Sequence, residues 1–253
     1  MEAVRKIASG RQQPLGHRRD SEPGPEVGDT PGGKESGGVS GAETVRRAVL
    51  AAAILLAPIV LIPGTIFNPA IGGIGQGAAD LAANAGANAL TDQLHVAAYV
   101  LESFLLPLSV LGLAGLAMRR SPWLGTIGGG LGVVGWLPFS ALAAQDDLTL
   151  RMAQMGAGAR FVALWDKFTT DSTMMTFLLV YVVCHLVAYV LLPIALWRGR
   201  WIPAWAAWAI ALTSPLTIAG FASRQIAVVG LLICALLLAG SIPAGRAVWR
   251  SRM

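Results

Sequence analysis

Six apolar stretches dominate the chain beyond residue 44: about Ala48–Phe67, Leu94–Met118, Trp123–Ala144, Met174–Trp197, Trp201–Phe221 and Ile226–Val248. Each reaches the ~20 residues that a helix needs to cross a ~30 Å hydrocarbon core. In hydrocarbon every backbone N–H and C=O must be paired inside the protein, and one isolated segment does that as a helix. The sequence therefore predicts an all-α integral membrane bundle of six transmembrane helices over residues 45–253. Composition agrees, with 55% hydrophobic and 13% charged residues in 253 and a mean hydropathy of +0.61. Soluble domains carry roughly twice that charge. A soluble enzyme, a disordered protein and a nucleic-acid-binding domain are thereby excluded as first readings.

The net charge of +5 invites a nucleic-acid partner, but the positions of the charges argue against one. Residues 1–44 hold six Lys/Arg and seven Asp/Glu among many Gly, Pro and Ser. Such a segment has no apolar run to offset its ordering entropy, and a disordered cytoplasmic tail is expected. No apolar run follows the basic start closely enough for a signal peptide. Arg46, Arg47, Arg119, Arg120, Arg198, Arg200, Arg246, Arg250 and Arg252 flank one set of span ends. The other set carries Arg151, Arg160, Lys167 and Arg224 against Asp80, Asp92, Asp146, Asp147, Asp166 and Asp171. By the positive-inside rule both termini are cytoplasmic, in a plasma membrane, and the partner of the excess base is the lipid bilayer rather than nucleic acid. Two long outer loops are expected, about residues 68–93 and 145–173. The second has the apolar spacing of a helix lying on the membrane surface, interrupted by Gly156 and Gly158.

Glu102 is the one ionisable acid inside a span. An ionised carboxylate there costs a few kcal/mol, so it should face the bundle interior and find a partner. On the same helix face stand His95, Tyr99 and Ser109, while Tyr181, His185 and Tyr189 form a second stripe on the fourth span. At 1.5 Å per residue Glu102 lies ~26 Å above Arg119 and His185 ~20 Å above Arg198, close enough in depth to meet. A pocket built from Glu102, His185, Tyr99, Tyr181 and Tyr189, with Glu102 hydrogen-bonded to His185, is the favoured reading. It suits small-molecule or proton-linked transport. The plainer alternative is a hydrogen bond that fixes helix register.

A second reading makes His95 and His185 ligands of a haem or other metal in a membrane redox protein. The depths disagree, since His95 lies ~36 Å above its arginine. Met152, Met155, Met174 and Met175 raise the possibility of copper, a metal that thioethers favour. Neither pattern is specific, and no bound cofactor is expected. The two cysteines, Cys184 and Cys234, read as small core residues. No triad order, HExxH, Walker or nucleotide fingerprint is present, so the expectation is a non-enzymatic protein.

The third span carries Gly125, Gly128, Gly129 and Gly132 as overlapping GxxxG pairs, which let helices approach closely. They are read as helix-packing residues. A third reading uses them as a docking face for a membrane-protein partner or a second copy, in a structural or regulatory role. Leu106-Pro107, Gly112-Leu113, Arg119-Arg120, Pro122-Trp123 and Gly128-Gly129-Gly130-Leu131 through Gly135 together resemble uncharacterised multi-pass membrane proteins of high-GC Gram-positive bacteria. The resemblance implies an acidic residue in the second helix and a Gly-rich third helix, and no activity.

Overall fold

The computed structural model describes residues 41–69, 75–156, 158–223 and 226–251, with the backbone alone at 221–223 and 226. Residues 1–40 of the tail expected over 1–44, together with Arg224 and Arg252, lie outside the described residues. Within them the fold is all-α: α1 (Gly41–Ile66), α2 (Gly77–Gly86), α3 (Ala89–Ala117), α4 (Pro122–Trp136), α5 (Phe139–Gln154), α6 (Ala159–Thr169), α7 (Ser172–Arg198), α8 (Ala204–Ser223) and α9 (Ile226–Arg250).

Five segments are long and apolar enough to cross a membrane: α1, α3, α4 with α5, α7 and α9. These make the chain a multi-pass membrane protein in character. The stretch expected as the fifth of six spans is a shorter apolar helix, Ala204–Gly220, ~26 Å long at 1.5 Å per residue. The first helix begins at Gly41, four residues inside the segment read as tail. Glu43 explains the extension. It sits in the first turn, where the helix dipole favours an acid, and pairs with Arg46 at 3.3 Å and Arg47 at 3.6 Å.

The third span is broken. Pro138 has no N–H to donate, and α4 stops at Trp136 before α5 resumes at Phe139. Around the bundle α3 packs on α1 and α4, α4 on α7, α7 on α8, and α9 on both α8 and α1. Small residues set the α4–α7 contact. A Cβ at Gly135 would lie 2.5 Å from the His185 backbone nitrogen, so glycine alone permits this approach.

Polar contacts tie off both ends. At the arginine end, Arg47 donates to the Ser251 carbonyl at 3.2 Å, joining the start of α1 to the end of α9. Arg120 donates to the Gly199 carbonyl at 2.7 Å, joining the α3–α4 and α7–α8 turns. At the acidic end, the regions expected as loops are largely helical. The α6 apolar face packs within the protein: Trp165, Phe161, Val162 and Phe168 pack on Leu81 of α2 and Met152 of α5. Gly156, at φ 102, makes the α5–α6 turn that allows this fold-back. The Trp165 indole donates to Asp80 at 3.2 Å, and the Gly77 N–H donates to Asp166 at 2.7 Å, which caps α2 from a distance.

Candidate functional site

All six apolar segments meet at one cavity of about 130 Å³. Tyr99 of α3, Trp136 and Phe139 at the α4–α5 break, and Tyr181, His185 and Tyr189 of α7 form its aromatic walls. Leu61 and Thr65 of α1, Thr213, Ser214 and Thr217 of α8, and Val229, Gly230 and Ile233 of α9 complete it. The residues come from the halves of the helices nearer the acidic end. Trp136 and Phe139, three residues apart across Pro138, share one face and line the same space.

The rings form a continuous series. Centroid separations run 4.4 Å from His95 to Tyr99, 5.1 Å to Phe139, 5.6 Å to Tyr181 and 4.4 Å to His185. Trp136 closes the far side at 4.9 Å from His185 and 6.0 Å from Tyr189. Tilted, stacked and edge-on pairs of this kind add ~0.5–1.5 kcal/mol each beyond area burial.

The hydrogen bonds decide what the walls offer. His185 Nδ1 is bonded to the Tyr181 carbonyl one turn back on α7. A carbonyl only accepts, so Nδ1 carries the hydrogen, and Nε2 of the neutral ring is left as an acceptor. Thr213 donates to Ile210 O at 2.6 Å, Ser214 to Leu186 O at 2.9 Å and Thr217 to Thr213 O at 2.8 Å. Their protons are spent on backbone, and their free lone pairs are acceptors too. The Trp136 indole N–H meets no acceptor in bonding geometry, although the Tyr189 hydroxyl lies beside it. The wall is thus aromatic, with acceptors at His185 Nε2 and the Thr and Ser oxygens and with tyrosine hydroxyls that both donate and accept.

Four of the five expected pocket residues, Tyr99, Tyr181, His185 and Tyr189, line this cavity; Glu102 does not. Glu102 is fully buried in α3, and neither carboxylate oxygen has a hydrogen-bond partner among the described residues. The expected Glu102–His185 hydrogen bond is therefore not formed. The His185 Nδ1 is taken by its own helix, and α7 packs mainly on α4 rather than on α3.

His95 belongs to a separate polar cluster near the acidic end. Its Nδ1 faces the Gly64 carbonyl at 2.6 Å, at the carbonyl-rich end of α1, and its Nε2 faces Asp146 of α5 at 3.2 Å. Asp92, one turn back on α3, is 1% exposed with both oxygens unpartnered among the described residues. A Cβ at Gly64 would strike the Tyr99 ring at 2.6 Å, so glycine at this position lets α1 sit against both His95 and Tyr99. Sequence reasoning missed Asp92, Asp146 and Gly64 as parts of this cluster. The signal available was the i, i+3 spacing of Asp92 and His95.

The residues of the metal readings are placed as follows. Three rings stand between His95 and His185, and both His95 nitrogens are engaged. Met152 is packed under Trp165, whereas Met155 and Met175 are exposed. The glycines of α4 are turned inward: a Cβ would meet Met118 at Gly125, Leu192 at Gly128, Ala114 at Gly129 and Val110 at Gly132. Their close approach packs α4 against α3 and α7. No protein-family model, no curated protein and no solved structure matches the chain.

Proposed function

We propose that the chain crosses the plasma membrane six times, with both termini cytoplasmic, and carries a small molecule through the central cavity in a proton-linked cycle. The observation that carries this reading is the position of the broken third span. Transporter sites form beside interrupted helices between packed segments, and here the interruption at Pro138 lies next to Trp136 and Phe139 in the cavity wall. Orientation rests on the arginine end, where Glu43 is the one acid nearby, against the carboxylates at the other end.

The walls fit an occupant with an apolar body and at least one hydrogen-bond donor, directed at His185 Nε2. A dry cavity of ~150 Å³ accepts benzene, so one ring is the right scale. The His95–Asp146 pair suits proton entry. Both ring nitrogens face acceptors, so the pair makes its two bonds only while it holds one proton more than a neutral imidazole beside a carboxylate. Tyr99, in ring contact with His95, joins that pair to the cavity.

Phenol is the minimal probe, and toluene is its counterpart of similar size without a donor. Thermal unfolding in neutral detergent should show phenol raising the midpoint more than toluene. The His185→Phe variant should lose that preference. Equal shifts for phenol and toluene in the wild-type protein would remove the proposed recognition. Proton linkage is read in proteoliposomes holding a pH dye under an inside-negative potential. Uptake above empty vesicles that disappears in His95→Gln is expected; uptake unaffected by that change would contradict it.

A further inference from the structure

At the arginine end, remote from the cavity, a cleft of about 370 Å³ opens between Trp201, Pro243, Arg246, Ala247, Arg250 and Ser251. Arg246 and Arg250 stand one turn apart on α9, so both guanidiniums project over one face. Both are exposed, and neither is paired with a carboxylate among the described residues. The acid of this end, Glu43, already holds Arg46 and Arg47. The walls are fixed while these two charges are free. Arg47 holds the Ser251 carbonyl, and the Arg120 guanidinium lies over the Trp201 ring at 4.7 Å while bonded to Gly199.

We propose that this cleft is a binding site for a phosphate ester, fitted to the headgroup of an anionic phospholipid. A guanidinium presents a planar fork that matches two phosphate oxygens at once. The α9 C-terminus contributes about half a negative charge, which opposes an anion; two full cations outweigh it. Pro243, Ala247 and the Trp201 ring add an apolar wall that suits the glycerol and first methylenes of a lipid. The location suits a lipid as well, since exposed Trp197 and Trp249 mark this end as an interface region.

The test uses the full chain, delipidated in neutral detergent and titrated separately with phosphatidylglycerol, phosphatidylcholine and inorganic phosphate while the unfolding midpoint is followed. Phosphatidylglycerol is expected to raise the midpoint at concentrations where phosphatidylcholine does not. The double variant Arg246→Gln/Arg250→Gln should need about thirtyfold more phosphatidylglycerol, from the loss of two direct guanidinium–phosphate contacts. The double variant Arg119→Gln/Arg198→Gln removes the same charge from the same end and should titrate like the wild type. Equal weakening in both double variants would assign the effect to general rim charge and overturn the proposal. So would equal protection by the two lipids. Protection by inorganic phosphate matching that by phosphatidylglycerol would support the anion site and name free phosphate as its occupant. If the glutamine pair lowers the lipid-free midpoint, the pair Arg246→Lys/Arg250→Lys, which keeps the charge and loses the fork, supplies the same comparison.

Discussion

Replacing Gly135 by alanine tests how the cavity wall is held. The added Cβ would lie 2.5 Å from the His185 nitrogen and 3.0 Å from its Cα. Both are backbone atoms of α7, and neither can swing aside as a side chain end would. Ordinary contact starts near 3.4 Å, so α4 and α7 must part by nearly an ångström along a seam that Gly128 and Gly132 also close. Overpacking of this kind costs ~1–3 kcal/mol, while replacing Gly by Ala inside a helix returns up to ~1 kcal/mol. The net loss is about 1–2 kcal/mol. At ~2–4 °C per kcal/mol for a chain of this size, the midpoint should fall by about 2–8 °C. Gly130→Ala is the control, because a Cβ there meets nothing within 4 Å. It carries the propensity gain alone and should leave the midpoint unchanged or slightly raised. Thermal unfolding in one detergent, read side by side, decides the matter. If Gly135→Ala and Gly130→Ala unfold together, close backbone approach is not what seats His185.

Trp165→Phe keeps the ring and removes the bond to Asp80, so hydrogen exchange should quicken across α2 and α6 while α3 and α7 are unchanged; uniform quickening would mean that the acidic cap is not a separate unit. Asp171 caps α7, and its bond from the Thr173 N–H at 2.8 Å holds its carboxyl below the ordinary value of 3.8. A lowered folded value means that the stabilisation is complete above 3.8 and fades as pH falls through the lowered value. The gap in unfolding midpoint between wild type and Asp171→Ala should therefore close in acid, and a gap independent of pH would refute the cap.

The membrane-crossing segments were legible because hydrocarbon thickness imposes a length that sequence displays directly. The arginines were legible for a similar reason, since charge stays at the membrane edge. What sequence reasoning missed depends on contacts between segments distant in the chain. Gly77 is capped by Asp166, and His95 by Gly64 and Asp146; no local pattern announces either. Glu102 and His185 were placed at compatible depths, yet helix order put α4 against α7 and left His185 to bond its own helix. Pro138 was visible as a proline in a span. That it parts α4 from α5 at the cavity follows only once Trp136 and Phe139 are seen on the same wall.

Thiol accessibility at Thr217→Cys, in a background with Cys184 and Cys234 replaced by alanine, tests the water-reached cavity and its orientation together. Thr217 lines the cavity, whereas Leu212 of the same helix is 46% exposed on the outside of the bundle, where lipid would lie. In right-side-out vesicles a small impermeant thiol reagent should modify Thr217→Cys, and phenol should slow the reaction; Leu212→Cys should stay unmodified. Modification of Thr217→Cys only in inside-out vesicles, or equal modification at both positions, would contradict a cavity that opens toward the acidic, outer end.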